Sequence, residues 1–423
     1  MDRPATSDPN LSSAPQPTAS SRGGRCAARR ARLAQAPFRE LLLAEPYRWF
    51  FPLAVLIGIA AVLLWPAFYQ HWIDYQPKTS HARLMIQGFI GGFAFGFLGT
   101  AIPKVLNTHR FFFGELATFA TAYLASSGFH LANRTVAGDA FFLIALVTFM
   151  ISAGTRAALR KDLPPPGFLL VGAGMLCGIS GTVLFLSGHA LEFNATREQW
   201  AGLLLYQGFM LLPLIGIGAF LFPRFFKTDN KQIFPSNPYP TEQWTRRAKL
   251  AGTAAALIIL SFFLEVEGIV RWGAWLRAAT CFAYLASETG FWKRSEATGV
   301  LPAALRTGLI CLIIAALAAG WVQANRIALD HILYIGGLGL IALVVGTRVL
   351  YGHAGRTKAM GQWLIPLCVV FGLILIAMVL RVTADFTPQV KTAHYLYSAL
   401  VWAAATTVWA IAMAPLLIQR RDP

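Results

Sequence analysis

Gly361-Gln-Trp-Leu-Ile-Pro-Leu-Cys-Val-Val-Phe-Gly-Leu-Ile-Leu-Ile-Ala-Met-Val-Leu-Arg381 carries no charge before its final residue. At about 1.5 Å per residue, a helix of roughly 20 such residues crosses the ~30 Å hydrocarbon core of a bilayer. The rest of the chain repeats this pattern. Apolar stretches of spanning length occur at 50–69, 84–106, 114–132, 136–159, 167–191, 199–226, 248–268, 272–291, 300–321, 331–352, 361–381 and 391–418. The least apolar are 114–132 and 272–291, which carry Glu115, Arg277 and Glu288. Strands spanning a membrane are half as long and alternate with period two, so a β-barrel is excluded. The expected fold is an all-α polytopic membrane protein of about twelve helices.

Composition agrees. Hydrophobic residues make up 56% of the chain and charged ones 13%, about half the charged share of a soluble domain. The net charge of +17 would suggest nucleic acid in a polar chain. In this one it reports topology, because positive loops stay in the cytoplasm. With the N-terminus inside, 26 Lys and Arg fall on the inner side and eight on the outer side, and Arg277 and Arg306 lie within spans. Both termini are therefore expected in the cytoplasm. Residues 1–45, rich in Ala, Pro, Ser and Arg, read as a disordered basic tail with no cleaved signal. The inner loop 227–247 contains Pro235-Ser-Asn-Pro-Tyr-Pro240 and reads as a hinge between six-helix halves at 46–226 and 248–423.

No Cys-x-x-Cys occurs, so zinc-ribbon and covalent haem motifs are absent. The histidines are more informative. On this topology His71, His81, His130, His189, His331 and His394 gather near the outer face, and only His109 and His353 near the inner one. Neutral imidazole is a common ligand of haem iron, copper and zinc. His331 and His353 are about 33 Å apart along one helix and cannot share an ion, whereas His81 and His331 lie at matching depth. Arg83, Arg271, Arg277 and Arg381 share the outer half and suit pairing with haem propionates. Gly88, Gly92 and Gly96 form a smooth stripe that allows close approach of a helix or a flat macrocycle.

Asp330-His331-Ile-Leu-Tyr-Ile-Gly336-Gly337-Leu-Gly339, leading into Gly346-Thr-Arg348-Val-Leu-Tyr-Gly352-His353-Ala-Gly355-Arg356, resembles the NnrS family of haem- and copper-containing membrane proteins, whose signature is R-V-x-L-G-H-T-G-R. Two further stretches are similar: His81 through Pro103, and Leu380-Arg381-Val382 together with Ala414-Pro415-Leu416-Leu417. There are departures. Ala354 stands where Thr is usual, Phe220 replaces an arginine, and the family's H-x-H-E becomes His81-Ala82-Arg83-Leu84. The resemblance implies a bacterial inner-membrane haem protein of the nitric oxide and nitrosative-stress response. Copper is the second implied cofactor, though its H-x-H-E is only partly kept. The candidate cofactor-binding residues are His81, His331, His353, Arg348, Arg356 and Arg381, with the three histidines as candidate metal ligands. The alternatives are a secondary transporter of a small solute and a membrane assembly factor without its own cofactor. A haem–copper oxidase subunit would need a paired His-His and a His-Pro-Glu, and the chain has neither.

Overall fold

A computed structural model describes residues 38–190, 194–293 and 296–419. The expected tail falls outside the described residues as far as residue 37. From there a short helix, Phe38–Ala44, precedes the first long one. The long helices are α1 Tyr47–Tyr69, α2 Lys78–Val105, α3 Phe113–Leu131, α4 Thr135–Ala158, α5 Phe168–Ala190 and α6 Ala195–Leu221. After a turn of helix at Pro223–Phe226 come α7 Glu242–Val266, α8 Val270–Thr289, α9 Val300–Trp321, α10 Arg326–His353, α11 Ile365–Thr383 and α12 Lys391–Ile418. Ten of them, all but α3 and α8, are long and apolar enough to cross a membrane. Ser, Thr, Gly and His dilute α3, and Arg271, Arg277 and Glu288 charge α8.

Helix ends follow local chemistry. Asn194 and Thr241 cap α6 and α7 by accepting the backbone N–H groups of Arg197 and Trp244. Gly268, at φ 82°, turns α7 into α8. The helices α2 and α10 begin earlier than their apolar runs, with the polar turns Lys78–Arg83 and Arg326–His331.

The helix contacts recur every four helices. In each group the third helix packs against the fourth, as α3 on α4, α7 on α8 and α11 on α12. The first packs against the second, and groups join through α4 on α5, α8 on α9 and α12 on α1, which closes a ring. Loop 227–247 lies inside the second of these groups and is hydrogen-bonded to it. Asn237 O accepts from Leu163 N at 3.1 Å, and Gln232 bridges Gly167 N at 2.7 Å and Glu288 at 2.8 Å.

The second helix of each group is the most buried kind, and each contains a π-helical segment: Leu84–Ile90 in α2, Leu203–Gly208 in α6 and Ile332–Gly339 in α10. The i→i−5 bonds run from Gly91 N to Ile86 O, Phe209 N to Leu204 O and Leu340 N to Ile335 O. Such segments are frequent at functional sites because they re-aim the side chains of a helix. Each is approached by its first helix. A side chain at Gly88 would meet Ile57, one at Gly208 would meet Cys177, and one at Gly336 would meet Cys311 and, closer still, Met378 of α11. Gln87-Gly-Phe89 and Gln207-Gly-Phe209 are 120 residues apart, as are Pro103-Lys104 and Pro223-Arg224. Phe89 fills the space over Gly58, and Phe209 the space over Gly178. In the third group the sizes are exchanged, with Leu312 lying over Gly337.

At the face that carries both chain ends, here the terminal face, Glu45 ties four segments together. Its carboxylate accepts from Arg48 Nε at 2.8 Å, Tyr47 Oη at 3.1 Å and His353 Nδ1 at 2.6 Å. Lys104 lies 3.4 Å from His353 Nε2, and Arg48 also donates to the carbonyls of Leu417 and Gln419. Burial alone would raise the Glu45 pKa. The hydrogen bond and charge of His353, with Lys104 and Arg48, outweigh it and hold the carboxyl well below the usual carboxylate range.

Two measurements check this packing. Gly88→Val or Gly208→Val overfills a wedge and should cost about 1–3 kcal/mol in thermal melts of the detergent-solubilised chain. Glu45→Gln strands its cations and should cost about 3 kcal/mol at neutral pH. Because the folded pKa is depressed, this stabilisation is present above the unfolded value of about 4.3. It is lost as pH falls toward the folded value, so wild type and variant should converge in acid.

Candidate functional site

The opposite face, here the histidine face, holds three equivalent polar chambers, one beside the start of each π-bearing helix. In the first, between α2, α4 and α6, Arg83 Nε donates to Asp139 at 2.8 Å and the guanidinium also bonds Tyr206 Oη. Gln87 Nε2 donates to Asp139 at 2.6 Å, and His130 Nε2 lies 2.8 Å from Gln87 Oε1. One cation faces one carboxylate. In the second, Arg277 pairs with Glu265, and Arg326 bridges Glu265 and Asp330 at 3.0 Å each. Two cations face two carboxylates, and Arg277 and Asp330 among them line a cavity of about 10 Å³, room for a single water. Both chambers are internally neutral, as a low-dielectric interior requires.

The third chamber, between α1, α2, α10, α11 and α12, is different. His81 Nδ1 lies 3.0 Å from the Ala61 carbonyl, and His331 Nδ1 lies 2.6 Å from the Ile327 carbonyl. A carbonyl accepts, so each ring donates from Nδ1, and Nε2 is left as the acceptor nitrogen. Neither Nε2 has a hydrogen-bond partner among the described residues, and both rings are only half-buried. The two imidazoles are close enough for electrostatic interaction, and Arg381 acts on both. Arg381 bonds Asp385 at 3.1 Å and stacks over Tyr395 at 4.6 Å, while Lys391 reaches Asp385 at 2.9 Å. Two cations against one carboxylate leave a positive charge over. Trp65 lies edge-on to His81 at 6.0 Å, and Tyr334 edge-on to His331 at 5.8 Å.

A metal-ligating histidine has this form, with one nitrogen fixed by a carbonyl and the other free. Among the described residues no group of three or more His, Cys, Asp or Glu side chains could hold a metal ion. Two imidazoles suit an iron whose other four ligands come from a porphyrin, and the surplus positive charge suits its carboxylates. The residues therefore fit haem better than an isolated copper ion.

The structure brings His81, His331 and Arg381 together. It does not bring Arg348, His353 and Arg356 into one cluster. His353 is engaged by Glu45, Arg348 stacks over Phe225 at 4.5 Å, and Arg356 is exposed. Of the other expected cations, Arg83 and Arg277 belong to the neutral chambers, and Arg271 lies over Trp275 at 5.9 Å. Among the histidines, His130 bonds Gln87, His394 lies 3.1 Å from Thr383 Oγ1, and His71 is exposed; the His189 side chain is outside the described residues. Arg83, standing two residues after His81, is turned about 200° around the helix, which explains why it faces the first chamber and not the third. Sequence reasoning missed Asp139, Glu265 and Asp385. Asp139 and Glu265 are acids inside otherwise apolar stretches, the signal that could have found them; Asp385 lies between two such stretches and carries no such signal.

No curated protein matches the chain. The family model described as "NnrS protein" matches residues 41–421, nearly the whole chain. The polytopic helical fold and the sequence thus agree, and the chain belongs to the NnrS family.

Proposed function

We propose that the chain is a haem protein of the nitric oxide and nitrosative-stress response, with the haem held at the third chamber by His81 and His331. The single observation that carries this reading is the contrast among chambers. Two answer their own charges, and the third presents two fixed imidazoles with free Nε2 atoms and one surplus cation. His81 and His331 would ligate the iron, Arg381 and Lys391 would pair with propionates, and Trp65 and Tyr334 would flank the ring. Bound haem supplies an iron centre able to coordinate nitric oxide, a small uncharged molecule that dissolves in the bilayer. The chain itself orients the imidazoles through Ala61 and Ile327, with Trp65 and Tyr334 edge-on to them.

The same reading places α3 and α8 in the membrane beside their hairpin partners, giving twelve spans in a bacterial inner membrane. Their charges are answered inside the bundle, by Arg156 with Glu115 at 2.6 Å and by Arg247 with Glu288 at 2.6 Å. The excess of Lys and Arg on the terminal face supports a cytoplasmic position for both termini.

Absorption spectra of purified variants test the site. His81→Ala and His331→Ala should each lose most of the haem and its Soret band, and His353→Ala should keep both. A nitric-oxide-dependent Soret shift is expected only where haem is retained. Equal haem content in all three variants would contradict the assignment. For the topology, a cysteine placed at Asn133 should react with an impermeant maleimide in intact spheroplasts. A cysteine at Asn107 should react only after permeabilisation. The reverse pattern would overturn the orientation.

A further inference from the structure

At the terminal face several cations are paired with a carboxylate: Arg48 with Glu45, Arg156 with Glu115 and Arg247 with Glu288. Two arginines beside one helical turn are placed differently. Arg224, in the helical turn Pro223–Phe226, lies over the Phe220 ring at 4.5 Å. Arg348, from α10, lies over Phe225 at 4.5 Å, and among the described residues its hydrogen bonding is limited to a weak bond to Met360 Sδ at 3.4 Å. Neither has a carboxylate partner among the described residues, and the two positive charges act on each other. A third guanidinium, Arg306, approaches the same turn over Phe226 at 5.3 Å, held by the carbonyls of Phe291 and Lys293.

Three guanidinium groups from three chain segments thus lie over phenylalanine rings in or just before one helical turn. Stacking on a ring holds a guanidinium in place, a preorganisation that recognition of a tetrahedral anion can use. Like charges so placed repel unless an anion lies between them. Arg224 is exposed, so the pair can be reached from outside the bundle, and Arg348 is half-buried behind it. Basic pockets between helices at this level of a membrane accept phosphate head groups.

We infer that Arg224 and Arg348 form a binding site for a phosphate-bearing anion at the terminal face, either the head group of an anionic phospholipid or a free phosphate. The site lies at the opposite face from His81 and His331, so its failure and the failure of the haem reading are separate results.

Thermal stability of the full chain in detergent tests it, with titration of phosphatidylglycerol, phosphatidylcholine or inorganic phosphate. Wild type should be stabilised by phosphatidylglycerol or by phosphate, and not by phosphatidylcholine. The R224Q/R348Q variant should need about ten-fold more of the same anion. R160Q/K161Q removes two exposed cations near the same face and should respond as wild type does. A response confined to phosphatidylglycerol identifies a lipid site, and a response to phosphate identifies a free anion. Should R224Q/R348Q not fold, R224K/R348K keeps both charges but loses the planar forks, and should also bind more weakly. The inference is overturned by no response to either anion, by an equal response to phosphatidylcholine, or by loss as large in R160Q/K161Q. It is likewise overturned if the folded Arg224/Arg348 variants bind as wild type does.

Discussion

A charge carried into a membrane interior must be answered there, because neither water nor lipid tails will do so. The buried guanidinium of Arg83 meets Asp139, and Arg277 and Arg326 meet Glu265 and Asp330. Arg83 with Asp139 and Arg326 with Glu265 join helices that are not neighbours in the chain, so these pairs help fix the ring of helices as well as neutralise it. Breaking one partner leaves the other uncompensated, which is costly even where the intact pair adds little net stability. The same constraint makes exceptions informative. Where the chain leaves nitrogen atoms or cations unanswered, something outside the chain is the natural complement.

Seen this way, the two faces divide the work. The histidine face has three chambers, two of one neutral design and a third that departs from it, at His81, His331 and Arg381. The terminal face ties its ends through Glu45 and departs at Arg224 and Arg348. The π segments lie directly after the polar turns that carry His81 and His331, so helices α2 and α10 change their winding next to the proposed ligands. The wedge of α1 or α9 against Gly88 or Gly336 fixes that winding in place.

Most of the fold was legible because hydrophobicity is a local property. The apolar runs mark the long helices, and only the two most polar, α3 and α8, fall short of spanning composition. Helix starts were less legible, since Lys78–Arg83 and Arg326–His331 are polar turns stabilised by distant neighbours. The recurrence of four was hidden because the matched Gln-Gly-Phe and Pro-basic elements survive in two groups and are replaced in the third. In the candidate site, depth alone brought out His81 and His331. The role of His353 was not readable, because its partner Glu45 is 308 residues away. Nor were the neutral chambers, since a pairing such as Arg83 with Asp139 depends on tertiary contact and leaves no spacing signature.

The central claim is that the third chamber holds a haem where the other two hold ion pairs. Pyridine-haemochrome quantitation of the purified wild-type chain addresses it most directly. The account predicts one haem per chain, with ferric-state magnetic spectra showing histidine nitrogen on the iron. A well-folded preparation that contains no haem, and takes up none on reconstitution, would contradict it.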